Sequence, residues 1–131
     1  FERVLSELLS ERRAARFRPA GMSMMPTIRD GEAIVVEPLK EAPRRGDIVL
    51  LRGRDGLLAH RIVRRDGSLF VTRGDSSNAD DPAVALEGIL GRVTSVEREG
   101  RTIPLAGFVP AVTQLAAWIW FRARRRLVGR E

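Results

Sequence analysis

Apolar residues recur along this chain with two different periods. At the start, Phe1, Val4, Leu5, Leu8 and Leu9 fall at i, i+3, i+4, i+7 and i+8, which is the stripe of one helix face. The spacing predicts an amphipathic helix over residues 1–17, stopped by Pro19 and Gly21. Beyond that point the apolar runs become short and β-branched: AIVV (33–36), DIVLLR (47–52), LLAHRIV (57–63), LFVTR (69–73) and ILGRVTSVE (89–97). The acidic-Gly turn dipeptides Asp30-Gly31, Asp55-Gly56, Asp66-Gly67 and Glu99-Gly100 punctuate them,. Strands of this length and spacing predict an antiparallel, mainly β domain, with 57–63 and 69–73 as consecutive strands of a meander. DSSNADDP (75–82) is a polar loop of Asx and Ser turn formers,.

The pattern changes again near the end. Residues 103–121 carry no charge, close to the length of a membrane-spanning helix,. Pro104 and Pro110 interrupt the stretch and leave AVTQLAAWIWF, too short to span as a helix. Trp118, Trp120 and Phe121 run directly into Arg122, Arg124, Arg125 and Arg126. That order suits an anchor at a membrane interface. It equally suits a terminal helix packing Val112, Leu115 and Ile119 on the domain. The expected division is therefore an amphipathic helix (1–17), a β core (18–102) and a hydrophobic, then arginine-rich segment (103–131).

Charge refines this division. The chain of 131 residues has a net charge of +6. Residues 21–121 are balanced, and the excess lies in residues 11–20 and 122–131. Charge at the two ends fits contact with an anionic membrane surface better than a basic groove across the domain. The neutral middle, without interleaved aromatic and basic residues, argues against nucleic acid as a partner. Cysteine is absent, which removes disulfides, thiolate metal sites and cysteine nucleophiles from consideration,. Nothing in the composition calls for a metal or a cofactor.

Few polar groups remain that are able to run a reaction. Ser23 stands in GMSMMPTI (21–28), among three methionines and three residues before Pro26. A serine hydroxyl becomes a nucleophile only when a neighbouring base takes its proton. His60 is the only histidine, and histidine is the side chain that ordinarily titrates near neutrality,. Lys40, the only lysine, lies in the loop-like EPLKEAPRRG, where losing its water would be difficult. Strict alternation puts Leu58, His60 and Ile62 on one face of a strand, a place that also suits a core histidine bonded to a carbonyl. A catalytic imidazole needs an acceptor on its other nitrogen, and Asp75, Asp80 or Asp81 in the following loop offers one.

Taken in order, GMSMMPTIRDG, RRGDIVLLR, LLAHRIV and FVTRGDSSNADD resemble the type I signal peptidase family. The likeness is to its histidine-bearing branch, typical of archaea, the endoplasmic reticulum and some Gram-positive bacteria. Ser23, Met24 and Pro26 match the family's Ser-x-x-Pro box, and Gly46-Asp47 matches the next. His60-Arg61 stands where the better-known bacterial branch has Lys-Arg. Gly74-Asp75 followed by Asp81 matches the closing box. The resemblance covers about residues 18–97.

It implies a partly barrel-shaped antiparallel β core shared with self-cleaving LexA-type repressors. It also implies a serine endopeptidase that cleaves signal or leader peptides through an acyl-enzyme, with Ser23 as nucleophile, His60 as base and Asp81 as the orienting acid. Asp75 is the alternative acid, or a brace for the loop through Arg61 or Arg73. Gly21, Met22, Met24, Met25 and Pro26 are the implied substrate-binding residues, although methionines in such a segment also serve as core filling. In some relatives a side-chain hydroxyl two residues before the serine supplies an oxyanion donor, and here that residue is Gly21. Relatives also carry a spanning helix before the serine box. Here the short amphipathic segment stands in its place, so the expected setting is peripheral membrane contact through residues 1–17 and 103–131, with a soluble cytoplasmic protein as the alternative. The rival function is a non-catalytic or self-processing regulator that retains the LexA-like peptidase fold.

Overall fold

The computed structural model describes residues 5, 7–9, 11–19, 21–54 and 56–105. Its strands are β1 (Ala15–Phe17), β2 (Ala33–Glu37), β3 (Ile48–Gly53), β4 (Gly56–Asp66), β5 (Leu69–Arg73), β6 (Val84–Ala85), β7 (Ile89–Arg98) and β8 (Arg101–Pro104). A single 3₁₀ turn, Leu86–Gly88, joins β6 to β7. The strands lie in the order β1-β2-β7-β3-β4-β5-β6, and β8 pairs with β7. All described pairings are antiparallel. The result is a curled, half-barrel antiparallel sheet, as the short β-branched runs predict.

The period-two alternation explains how both faces of this sheet come to be covered. On β3, Ile48 and Leu50 face one core cluster while Val49 and Leu51 face another. The first cluster gathers Ile34, Val36, Val93 and Val96 with Leu5, Leu9, Met24 and Ile28. The second gathers Ile62, Phe70 and Ile89. A central strand buried on both sides has to be apolar at every position, which is why 48–51 reads IVLL.

Curling is built in at irregular steps. The ladder shifts register between Val35 and Val36, between Leu50 and Leu51, and between Ile62 and Arg64; extra residues of this kind bend and twist a sheet. Where β7 passes β2, a Cβ on Gly91 would lie 2.6 Å from the Glu37 carbonyl oxygen and 2.8 Å from Val36 Cγ1. Only glycine lets the two backbones approach so closely.

The expected helix over 1–17 needs correction at its end. Leu5 and Glu7–Leu9 are helical, and Leu5 and Leu9 are buried in the first cluster. Arg12 then turns with φ of 60°, and Ala15–Phe17 form β1, paired with Val36, Val35 and Ile34. Pairing along β2 outweighs helical propensity in a stretch with no apolar stripe of its own. The sheet therefore begins before residue 18, and β8 carries it to Pro104, past the expected boundary at 102. The rest of the 103–131 segment, including its tryptophans and arginines, lies outside the described residues. No helix among the described residues is long and apolar enough to cross a membrane.

One ion pair closes the sheet near the start of β2. Arg98 Nε donates to Glu32 at 2.6 Å, a second guanidinium N–H donates to the same carboxylate at 2.8 Å, and that group also reaches the Thr27 carbonyl at 3.1 Å. The hydrogen bond from Arg98 holds the Glu32 carboxyl below its ordinary range, against the opposing effect of burial. A carboxyl that binds its proton less readily folded than unfolded stabilises the fold fully above the unfolded value. That contribution disappears as pH falls through the depressed folded value. Glu32→Gln is therefore expected to lower the urea midpoint at pH 7, and the gap from the parent chain should close as unfolding is measured at progressively more acidic pH.

Candidate active site

The segment carrying Ser23 is a tight turn pinned from below. Gly21 enters it at φ of 103°, with its N–H donating to Asp30 Oδ1 at 2.9 Å. Met25 N–H bonds to the Met22 carbonyl at 3.1 Å and Ile28 N–H to the Met24 carbonyl at 2.9 Å. Met24 and Ile28 point into the first core cluster, so the residue between Met22 and Met24 is presented outward. Ser23 is exposed, and Met22 beside it is 42% exposed. Met25 and Pro26 are half-buried. Of the methionines offered by the sequence as cleft walls, Met24 is thus a core residue, while its sulfur accepts the Asp75 N–H at 3.4 Å.

His60 lies mid-way along β4, opposite Val49 of β3, and is 5% exposed. Its Nε2 is 3.0 Å from Ser23 Oγ. Its Nδ1 is 2.5 Å from Asp81 Oδ2. An ionised carboxylate only accepts hydrogen bonds. Nδ1 therefore carries the proton toward Asp81, and Nε2 presents its lone pair to the serine hydroxyl, which donates to it. A buried imidazole between an exposed hydroxyl and a carboxylate is the geometry that proton transfer from serine requires.

The peptidase S24-like family profile matches residues 3–94, a span that contains Ser23, His60 and Asp81. The chain belongs to the peptidase S24-like family. No curated protein matched it.

In this peptidase S24-like domain the remaining loop residues serve as a frame. Arg61, next to His60 but on the opposite face of β4, is only 2% exposed. Its Nε and one terminal nitrogen donate to the two oxygens of Asp75 at 2.8 and 2.7 Å, and its other terminal nitrogen donates to the Gly46 carbonyl at 2.8 Å. Thr27 Oγ1 donates to Asp75 Oδ2 at 2.6 Å. Asp75 is thus committed to Arg61 and Thr27, the bracing contact that the sequence offered as its alternative, and the carboxylate beside the imidazole is that of Asp81. Asp80, the other candidate, turns outward to Arg64 and Arg73. Hydrogen bonds from Arg64 and then Arg73 hold its carboxyl below the usual range. Lys40 is exposed after β2 and makes no bond to Ser23. Among the described residues, no group of three or more His, Cys, Asp or Glu side chains converges in the manner of metal ligands.

Two residues of the frame escape a search for reactive side chains. Ser76 donates its hydroxyl to the Met22 carbonyl at 2.7 Å and its N–H to the Ser23 carbonyl at 2.9 Å, holding both peptide groups that flank the nucleophile candidate. Gly74 lies against the site itself. A Cβ there would stand 2.6 Å from the Ser23 carbonyl oxygen, 3.0 Å from Ser23 Cβ and 3.1 Å from His60 Nε2. The glycine and serine of RGDSS are the only sequence marks of these contacts, and both are common in any turn. Gly74→Ala is expected to force the loop away from Ser23. It should cost about 1–3 kcal/mol of stability, the usual effect of overpacking, read by chemical denaturation. A crystal structure of the variant should show the Ser23–His60 separation widened beyond hydrogen-bond reach.

Proposed function

We propose that this protein is a serine endopeptidase of signal-peptidase type, in the histidine-bearing branch that its sequence boxes resemble. One observation carries the reading: a lone imidazole with Ser23 Oγ at 3.0 Å from one nitrogen and Asp81 on the other. Ser23 Oγ attacks the scissile carbonyl as His60 Nε2 takes its proton. Asp81 holds the ring and stabilises the imidazolium. The imidazolium then gives its proton to the leaving amine, and water, activated by the same base, releases the acyl group. The Ser23 backbone N–H has no acceptor among the described residues and serves as an oxyanion donor; with Gly21 two residues earlier, no side chain supplies a second from that position.

The substrate is an extended leader or signal peptide added as a strand beside the sheet, with small side chains near the cut and exposed Met22 at the rim. The exposed arginines of residues 11–18 and the hydrophobic, arginine-rich segment 103–131 bring the domain to an anionic membrane surface, while Leu5 and Leu9 of the first segment stay buried in the core.

A second reading is favoured by the family match itself, which also fits a self-processing regulator with a LexA-like peptidase domain. The products separate the two: a separate peptide is cut in the first case and the chain's own backbone in the second.

With a quenched fluorogenic peptide bearing small residues before the cut, Ser23→Ala and His60→Ala should each lower kcat/KM by at least about 10³-fold, with Asp81→Asn close behind. Circular dichroism should show their folds intact. Lys40→Ala should leave the rate unchanged. A rate that survives His60→Ala but not Lys40→Ala would overturn the assignment of the base. In flotation assays the full chain should rise with anionic vesicles and remain behind with zwitterionic ones.

A further inference from the structure

The imidazole and its carboxylate share a third partner. Thr72 of β5 is fully buried, with no exposed surface. Its Oγ1 donates to Asp81 Oδ2 at 2.8 Å, the same oxygen that faces His60 Nδ1. Its backbone carbonyl also accepts the Asp81 N–H at 2.8 Å. Two bonds of different origin thus tie Asp81 to this one residue.

The strand register explains why a threonine can reach the carboxylate. Thr72 stands directly opposite Ile62, and paired residues share a face of the sheet. Ile62 shares its face with His60, two residues earlier on β4. The Thr72 hydroxyl therefore rises beside the imidazole, where the returning 74–81 loop delivers Asp81. Asp81 enters from a loop, has a partly exposed side chain, and has no arginine of its own among the described residues. Asp75 and Asp80, its neighbours in the loop, both do. The only described side chains that bond the Asp81 carboxylate are His60 and Thr72.

We propose that Thr72 is a positioning residue: its hydroxyl sets the rotation of the Asp81 carboxylate, and through it the orientation and tautomer of His60. The proposal rests on the peptidase reading for its kinetic consequence, but not for its structural one.

Thr72→Val keeps the shape and removes the donor, while Thr72→Ser keeps the donor. Because His60 is the only histidine in the chain, the Nδ1–H proton of its ring is observable by NMR without ambiguity of assignment. In Thr72→Val the downfield Nδ1–H resonance should move upfield or broaden beyond detection, whereas Thr72→Ser and Ser23→Ala should retain it. In the peptide assay, Thr72→Val should lose about 10–100-fold in kcat, the scale of a misplaced catalytic group, with KM unchanged. Thr72→Ser should recover most of that loss. A Thr72→Val chain whose resonance matches the parent overturns the proposal. So does a Thr72→Ser chain that loses the resonance as fully as Thr72→Val. If the parent chain cleaves no peptide in either arrangement, the peptidase reading falls on that result alone, and the resonance still decides the role of Thr72.

Discussion

The buried pair between Arg61 and Asp75 is the constraint on which the site's geometry depends. A charged pair this far from water is stable only if its remaining donors and acceptors are filled. Here the Gly46 carbonyl takes the spare guanidinium N–H, and Thr27 donates to the carboxylate. Those contacts join four parts of the chain: the turn before β3, the centre of β4, the loop after β5, and the segment following Ser23. His60 is the immediate neighbour of Arg61, and Asp75 begins the loop that ends at Asp81. The pair therefore sets the distance between strand and loop on one face of the sheet, so that imidazole and carboxylate meet on the other. Breaking one partner of such a pair typically costs about 3–5 kcal/mol, and here it would also loosen the segments that bring His60 and Asp81 to the Ser23 hydroxyl.

Exposure is graded across the three central side chains in a way that suits their chemistry. Ser23 faces outward, His60 is buried, and Asp81 lies between. Under the proposed function the hydroxyl meets another chain and has to be reachable. A base that must hold one tautomer gains from a packed surrounding, with few competing waters. The buried Met24 and Ile28 keep the turn seated while leaving its tip open.

How much of this was legible in the sequence varied with what each residue had to do. The five longer strands could be read because β-branched runs between acidic-Gly turns are strong local signals, and each turn glycine at Gly31, Gly56, Gly67 and Gly100 does take a positive φ. β1, β6 and β8 were not legible: ARF, VA and RTIP have no pattern of their own and are strands only because a neighbour's edge pairs with them. The same pairing removed the last turns of the expected helix, whose apolar stripe ends at Leu9. Ser23, His60 and Asp81 were legible as reactive types in a telling order. The choice of Asp81 over Asp75 came from the resemblance and not from the residues themselves, because two aspartates in one loop are chemically alike until the fold assigns an arginine to one of them. Gly74, Ser76 and Thr72 carry no reactive signature, and their part in the frame follows from register and close approach alone.

The three central side chains come from separate regions of the chain, 37 residues apart between Ser23 and His60 and 21 between His60 and Asp81. No hairpin or single loop contains more than a fraction of them, and long-range pairings of this kind form late and together in folding. A polypeptide emerging during synthesis consequently holds a Ser23 hydroxyl without its imidazole–carboxylate pair until the loop carrying Asp81 has docked. Whatever reactivity the domain has is withheld from its own unfinished backbone, without any separate inhibitory segment being needed for that purpose.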